Sequence, residues 1–175
     1  MTKQDAAREA VTTLGLLTPG AIPTITGLLS DDLIEHPRSI CTRYRKTGEQ
    51  ISDEEKKRLG IRRNGFLSKA ALSEISEAGL AEPLAAHERT LLRATFTMSR
   101  ANAIGKADEV LEQVGGALIG WEHSTLNKDC PACNRLDHRV TAADQAVILP
   151  PSDCRPGCTA PYTIRPKFDW LHDID

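Results

Sequence analysis

Two short cysteine pairs carry the most specific chemistry in this sequence. Cys130-Pro131-Ala132-Cys133 is followed, after twenty residues, by Cys154-Arg155-Pro156-Gly157-Cys158, which gives the pattern C-x2-C-x20-C-x3-C. A structural Zn2+ takes four soft ligands at tetrahedral corners, and each tight turn brings two thiolates close enough to share one ion. Pro131 and Pro156-Gly157 suit such turns, since a fixed φ and a permissive glycine let the backbone reverse between two ligands. The spacing therefore predicts a metal site formed by Cys130, Cys133, Cys154 and Cys158, with Zn2+ as a structural cofactor. Disulfides and reduced, unpaired thiols are the competing readings. The five cysteines are an odd number, which argues against a fully oxidised framework. Residues 1–17 are charged and lack an apolar h-region, so no secretory signal is expected. Cysteine usage of the metal or free-thiol kind then points to an intracellular setting. Cys41 stands apart from the pairs and is expected to be a buried, inert thiol.

Catalytic chemistry has weaker candidates. A catalytic zinc keeps three protein ligands and one open position, whereas four cysteines close the sphere and leave no place to activate water. His123, His138 and His172 are spare ligands or general bases at most, and a solvated or core-satisfied histidine is the ordinary case. Asp137 and Asp144 are acids in loop-like sequence, where aspartate more often forms turns. The sequence has no glycine-rich phosphate loop, nucleophile elbow or H-E-x-x-H helix. A toxin-like nuclease built around His138 on a cysteine-clamped scaffold is the enzymatic alternative.

Residues 38–63 are locally basic. Nine cations (Arg38, Arg43, Arg45, Lys46, Lys56, Lys57, Arg58, Arg62, Arg63) face four acids (Glu49, Asp53, Glu54, Glu55). Arg43, Arg45, Lys56, Lys57, Arg62 and Arg63 are the candidate nucleic-acid contacts, because clustered cations neutralise phosphates. A solvated helix surface is the plainer reading. Tyr44 and Phe66 are the sole aromatics nearby, too few for base stacking.

The elements that must position these residues are mostly helical. Residues 4–17 place Ala6, Ala10, Val11, Leu14 and Leu17 at helical spacing. Residues 18–30, rich in Pro, Gly and Thr, predict a loop or arm. Asp31 and Asp32 are placed to open a helix carrying Leu33, Ile34, Ile40 and Cys41, kinked or restarted at Pro37. Ser52-Asp53-Glu54-Glu55 is a capping box, and its helix should stop near Gly60. A helix is predicted over 67–78, with Ala71, Leu72 and Ile75 inward and Gly79 as its stop. Pro83 is placed as the first residue of a long helix to about Val114, with Leu84, Leu91, Leu92, Thr95, Met98 and Asn102 on one stripe. Gly105 is a point where it would divide, and Gly115-Gly116 ends it. Arg89, Arg93 and Arg100 flank that stripe and are read as surface or inter-helix pairing groups. Beyond the glycines, 117–121, 139–141 and 162–164 read as short strands.

The order of these residues resembles the Mu F-like, minor-capsid class of phage head-morphogenesis proteins. The resemblance covers about residues 85–165. It runs through the helix Glu88-Arg89-Thr90-Leu91-Leu92-Arg93-Ala94-Thr95 and Ser99-Arg100-Ala101-Asn102, then an apolar strand ending in Trp121. Asp129-Cys130-Pro131-Ala132-Cys133, Leu136-Asp137, Val140, Leu149-Pro150-Pro151 and Pro156-Gly157-Cys158 follow. The family pattern has glycine after Leu-Asp where this sequence has His138. The histidine of its closing motif falls at Arg155, and its last cysteine at Ala160. A site of cysteines and histidine is thus rebuilt here as four cysteines. The resemblance implies a virion or prophage component acting in head assembly. It implies protein partners in a virion or procapsid, in a bacterial cytoplasm or the particle itself.

Composition fits this picture. Hydrophobic residues are 40%, charged residues 26% and aromatics only 4%, with a net charge of −2. That profile excludes a disordered or membrane-spanning chain and predicts an aliphatic core. The charge carries no global signal for nucleic acid, which leaves DNA as an alternative partner through the local basic stretch. The expectation is an α+β protein, mainly α. A helical body over 1–115, with 18–30 as loop or arm, carries a small zinc-clamped β-module over 116–175, and the whole acts without catalysis. A zinc-containing nucleic-acid-binding module is the alternative.

Overall fold

The computed structural model describes residues 1–29, 35–114, 118–125, 131–142 and 162–168. The chain separates into two units, Met1–Met98 and Ser99–Asp175. Among the described residues no helix is long and apolar enough to cross a membrane.

The first unit is helical and begins with a reciprocal cap. Thr2 Oγ1 accepts from Asp5 N, while the Asp5 carboxylate accepts from Thr2 N, satisfying two amides at the start of α1 (Lys3–Leu14). Ala6, Ala7, Ala10 and Val11 form the buried seam of α1. The expected loop at 18–30 is a correction. Pro19–Ala21 is a 3-10 turn, and Ile22–Leu28 is helix α2, packed on α1. The prolines that suggest a loop sit in the first turns, where a missing N–H costs nothing. Thr26 Oγ1 turns back to the Ile22 carbonyl at 2.8 Å, and Ile25 is buried in the core.

Helix α3 (Pro37–Lys46) starts at Pro37, with His36 Nδ1 accepting from Arg38 N at 3.1 Å. A helical start at Asp31-Asp32 lies outside the described residues. The Ser52–Glu55 capping box opens α4 (Asp53–Arg58). The helix expected over 67–78 is shorter: α5 (Lys69–Ser73) is capped by Ser68 and ends with Glu74 as its C-cap. The Glu74 carbonyl instead takes Thr18 N at 2.8 Å, and Leu17 bridges Ile75. Gly79 does not end that helix either. It lies in a 3-10 turn (Ala78–Ala81) pressed on the Leu16 carbonyl, where a Cβ would collide with that oxygen and with Ile75.

Helix α6 (Pro83–Val114) begins at Pro83 and runs through Gly105 without a break. Its buried face differs from the expected stripe. Pro83, Ala86, His87, Thr90, Leu91 and Ala94 point inward, whereas Leu84, Leu92, Thr95 and Met98 are half-buried and Asn102 is exposed. Leucine positions alone mislead here, because small residues set the seam. Arg93 crosses to α1, donating from Nε to Glu9 Oε2 at 3.1 Å. That guanidinium, against the opposing cost of burial, holds the Glu9 carboxyl below the ordinary glutamate range. Cys41 is wholly buried in this core, and burial pushes its thiol up to about 12.

The second unit carries a three-stranded antiparallel sheet in the order β2–β1–β3. These strands are β1 (Leu118–Thr125), β2 (Val140–Ala142) and β3 (Tyr162–Phe168). They overlap the three stretches expected to be strands, but β1 and β3 each run four residues further, so β1 does not end at Trp121. β1 pairs Trp121 with Thr141 on one side and with Pro166 on the other. Pro166 fits an edge strand, which need not donate on both sides. Helix α7 (Pro131–Asn134) lies within the connection between β1 and β2.

Candidate metal centre

Cys130, Cys154, Cys158 and the Cys133 side chain lie outside the described residues. The backbone of Cys133 belongs to α7. Among the described residues no three His, Cys, Asp or Glu side chains gather closely enough to hold an ion. What the structure does describe is the hairpin that flanks the first cysteine pair.

That hairpin is closed by a turn with an unusual member. Arg139 N donates to the Leu136 carbonyl at 3.0 Å, and His138 has φ 58°. This is the left-handed conformation that a type II turn takes at its third residue, ordinarily with glycine. A side chain there costs about 1–2 kcal/mol. Two backbone bonds tie the turn to β1: His138 N donates to the His123 carbonyl at 2.8 Å, and His123 N donates to the Arg139 carbonyl at 3.0 Å. The His138 imidazole is 80% exposed, with Nε2 3.6 Å from Asp137 Oδ2.

Strand periodicity sets the other candidate. Trp121 and His123 alternate to one face of β1, and Thr141, opposite Trp121, shares it. Gly120 allows β1 and β2 to approach, since a Cβ there would strike the Thr141 carbonyl. His123 is 1% exposed. Neither Nδ1 nor Nε2 of its ring, nor Thr141 Oγ1, has a hydrogen-bond partner among the described residues. Burial pushes the His123 imidazole below its ordinary value, which favours the neutral ring with a free lone pair. Buried polar atoms nearly always have partners, so these three atoms set this face apart. One imidazole does not by itself make a metal site, and the described residues bring no second ligand of that kind into a cluster with it.

The basic stretch distributes its cations differently from a phosphate-binding face. Arg43 grips Glu35 through both terminal nitrogens at 2.8 Å. Arg45, on the opposite side of α3, is buried and donates to Thr42. Lys56 lies 3.6 Å from Asp53 and donates to the Arg63 carbonyl, while Arg63 donates to Asp53 at 3.1 Å. Lys57 and Arg62 are exposed. A depression of about 620 Å³ on α3 includes Arg38 and Arg43, yet Glu88 and Glu35 already pair with them.

One polar cluster is invisible in the sequence. The Glu74 carboxylate accepts from Tyr44 Oη at 2.9 Å, His87 Nε2 at 2.9 Å and Thr24 Oγ1. Burial alone would raise this carboxyl, but the three donors outweigh it and hold it below the usual range. Burial and the adjacent carboxylate push the Tyr44 phenol up to about 12. The donors come from positions 50, 30 and 13 residues away, so no local pattern announces the group.

Comparison with protein-family models, curated proteins and solved structures finds no match to this chain.

Proposed function

We propose that this chain is a non-enzymatic structural protein of the phage or prophage head-morphogenesis type. Its second unit is clamped by a structural Zn2+ bound through the cysteine pairs Cys130/Cys133 and Cys154/Cys158. The observation that carries the reading is the backbone of His138. The family pattern demands glycine after Leu136-Asp137, and the position is left-handed at φ 58° although histidine fills it. A motif glycine that has been replaced while its conformation is kept argues for a shared turn beside the first cysteine pair. Trp121 and Val140, two residues of that motif order, lie on paired strands, which supports the reading. On this reading the partners are proteins of a virion or procapsid, and the protein resides in a bacterial cytoplasm or in the particle.

Elemental mass spectrometry of the purified chain tests the metal part: one zinc per chain is expected. Cys133→Ser should release it and melt the second unit, because a small metal module takes much of its folding free energy from the ion. The helices of Met1–Met98 should survive. Zinc retained at full stoichiometry in that variant contradicts the clamp. Co-sedimentation with procapsids tests the assembly role, and a protein found only free in lysate counts against it.

A further inference from the structure

We infer that the groove between the 59–65 connection and the first turn of α6 is a docking site for a protein segment that presents an aliphatic side chain beside an aspartate or glutamate. Neither the sheet nor zinc enters into this surface, which lies wholly within Met1–Met98. Local chemistry fixes the groove on both sides. Gly60, at φ 68°, turns the chain away from the end of α4. Gly65 N then donates to the Arg62 carbonyl at 2.7 Å and closes a tight turn. A Cβ at Gly65 would lie 2.6 Å from Ile61 Cγ2, so only glycine lets the turn press on that side chain. The outer edge is tied down as well: Lys56 Nζ donates to the Arg63 carbonyl at 3.3 Å, and Arg63 Nε donates to Asp53. The opposite wall begins at Pro83, whose ring fixes the first residue of α6. A cleft with walls already ordered loses little conformational entropy when it is filled.

The lining narrows the choice of occupant. Leu59, Ile61, Pro83 and Leu84 supply apolar surface around a space of about 580 Å³. Ala81 at its border is exposed, and the adjoining Leu80 is 39% exposed. Arg62, Asn64 and Glu82 also line the space, and all three are exposed, so the polar groups stand at the edge. A small-molecule pocket of this size usually has polar groups converging among the apolar ones. An apolar centre with a polar rim is instead the anatomy of a protein interface. Among the described residues no aromatic side chain lines the groove, which leaves no platform for stacking a base. Charge then selects among protein segments. The Glu82 carboxylate is already met by Arg89. Arg62 makes no ion pair with any described residue. The unanswered charge on the described rim is therefore positive, and a carboxylate on the incoming segment complements it.

Short random peptides displayed and selected against the full chain test this, with the Ala81→Arg variant as counter-target. Ala81 is exposed, so a long side chain there obstructs the groove and leaves the core alone, which an unchanged melting curve checks. Enriched peptides should carry an aliphatic residue within a few positions of Asp or Glu. A synthetic copy of one should shift the amide resonances of 59–65 and 81–85, and should bind Ala81→Arg more weakly by about tenfold or more. Arg62→Glu should weaken it by about tenfold, and a peptide with Lys in place of the acid should regain that loss on Arg62→Glu. Selection that yields no sequence able to tell the two targets apart overturns the inference, as do basic peptides or resonance shifts confined to other residues. A short DNA oligonucleotide that shifts the same amides, or a dimer that Ala81→Arg dissociates, gives the groove to a different occupant and overturns it too. A chain without zinc, or absent from procapsids, removes the reading proposed above and leaves this surface standing.

Discussion

His87 and His123 are both buried, and they differ in what meets the ring. In the first unit, Glu74 accepts from His87 Nε2 at 2.9 Å and gathers Tyr44 and Thr24 on the same carboxylate, leaving only Nδ1 of the ring unpaired. In the second unit, neither nitrogen of His123 is met among the described residues, and neither is Thr141 Oγ1, opposite Trp121 on the neighbouring strand. A low-dielectric interior strengthens a closed set of polar partners and penalises an open one. The difference teaches that one buried ring is fixed by a carboxylate from a distant segment, whereas the other is enclosed with no hydrogen-bond partner among the described residues. The helical unit has a charged residue where it can fasten distant segments, and the sheet has no such residue at His123 among the described residues.

The largest effect should come from opening the closed cluster. Glu74→Ala strips partners from His87, Tyr44 and Thr24 at once, and should lower the unfolding free energy of the first unit by about 3 kcal/mol or more. Chemical denaturation followed by far-UV circular dichroism measures it. The same cluster sets an acid limit. The folded Glu74 carboxyl lies below its unfolded value of about 4.3, so its contribution is fully present above that pH. It should fade as pH falls through the lower folded value, which urea titrations between neutral and acid pH will show. A pH-independent midpoint across that range would count against the closed network. Gly79→Ala comes next, since the added methyl meets the Leu16 carbonyl and Ile75. Overpacking of this kind costs about 1–3 kcal/mol, to be read as a drop in the melting temperature of the same unit.

The second unit sharpens the comparison with smaller effects of opposite sign. His138→Gly relieves a left-handed side chain and should stabilise the hairpin by about 1 kcal/mol, measured as slower amide exchange at the His138 and His123 amides. In the presence of a chelator, His123→Phe should change stability by no more than about 1 kcal/mol or improve it, because no hydrogen bond to a described residue is lost. A large loss in the chelated protein would mean that the ring already has a partner.

Much of the fold is legible residue by residue. Ser52 and Glu55 announce α4, Pro83 announces α6, and the short β-rich runs mark all three strands, because caps, first-turn prolines and strand composition act over a few residues. Ile22–Leu28 is missed since proline and glycine counts hide the positions at which those residues are harmless. The seam of α6 is missed because Ala86 and Ala94 carry less weight in a pattern than Leu84 and Leu92, although close helix packing prefers the smaller side chains. The cysteine pairs are plain from spacing. His123 is named beside His138 and His172, but nothing local separates a sealed ring from one that is 80% exposed. Glu74 and its three donors are absent from any sequence reading, since the cluster exists only after segments up to 50 residues apart have met.

The strand order has a consequence for synthesis on the ribosome. β1 lies between β2 and β3, and its longer ladder is with β3, which is the last of the three to be made. The helices up to Met98 can therefore settle while translation continues, as domains tend to do in order of emergence. The central strand, by contrast, must wait with one flank uncovered until residues 162–168 arrive, so nascent chains stalled before that point should be the ones that chaperones hold.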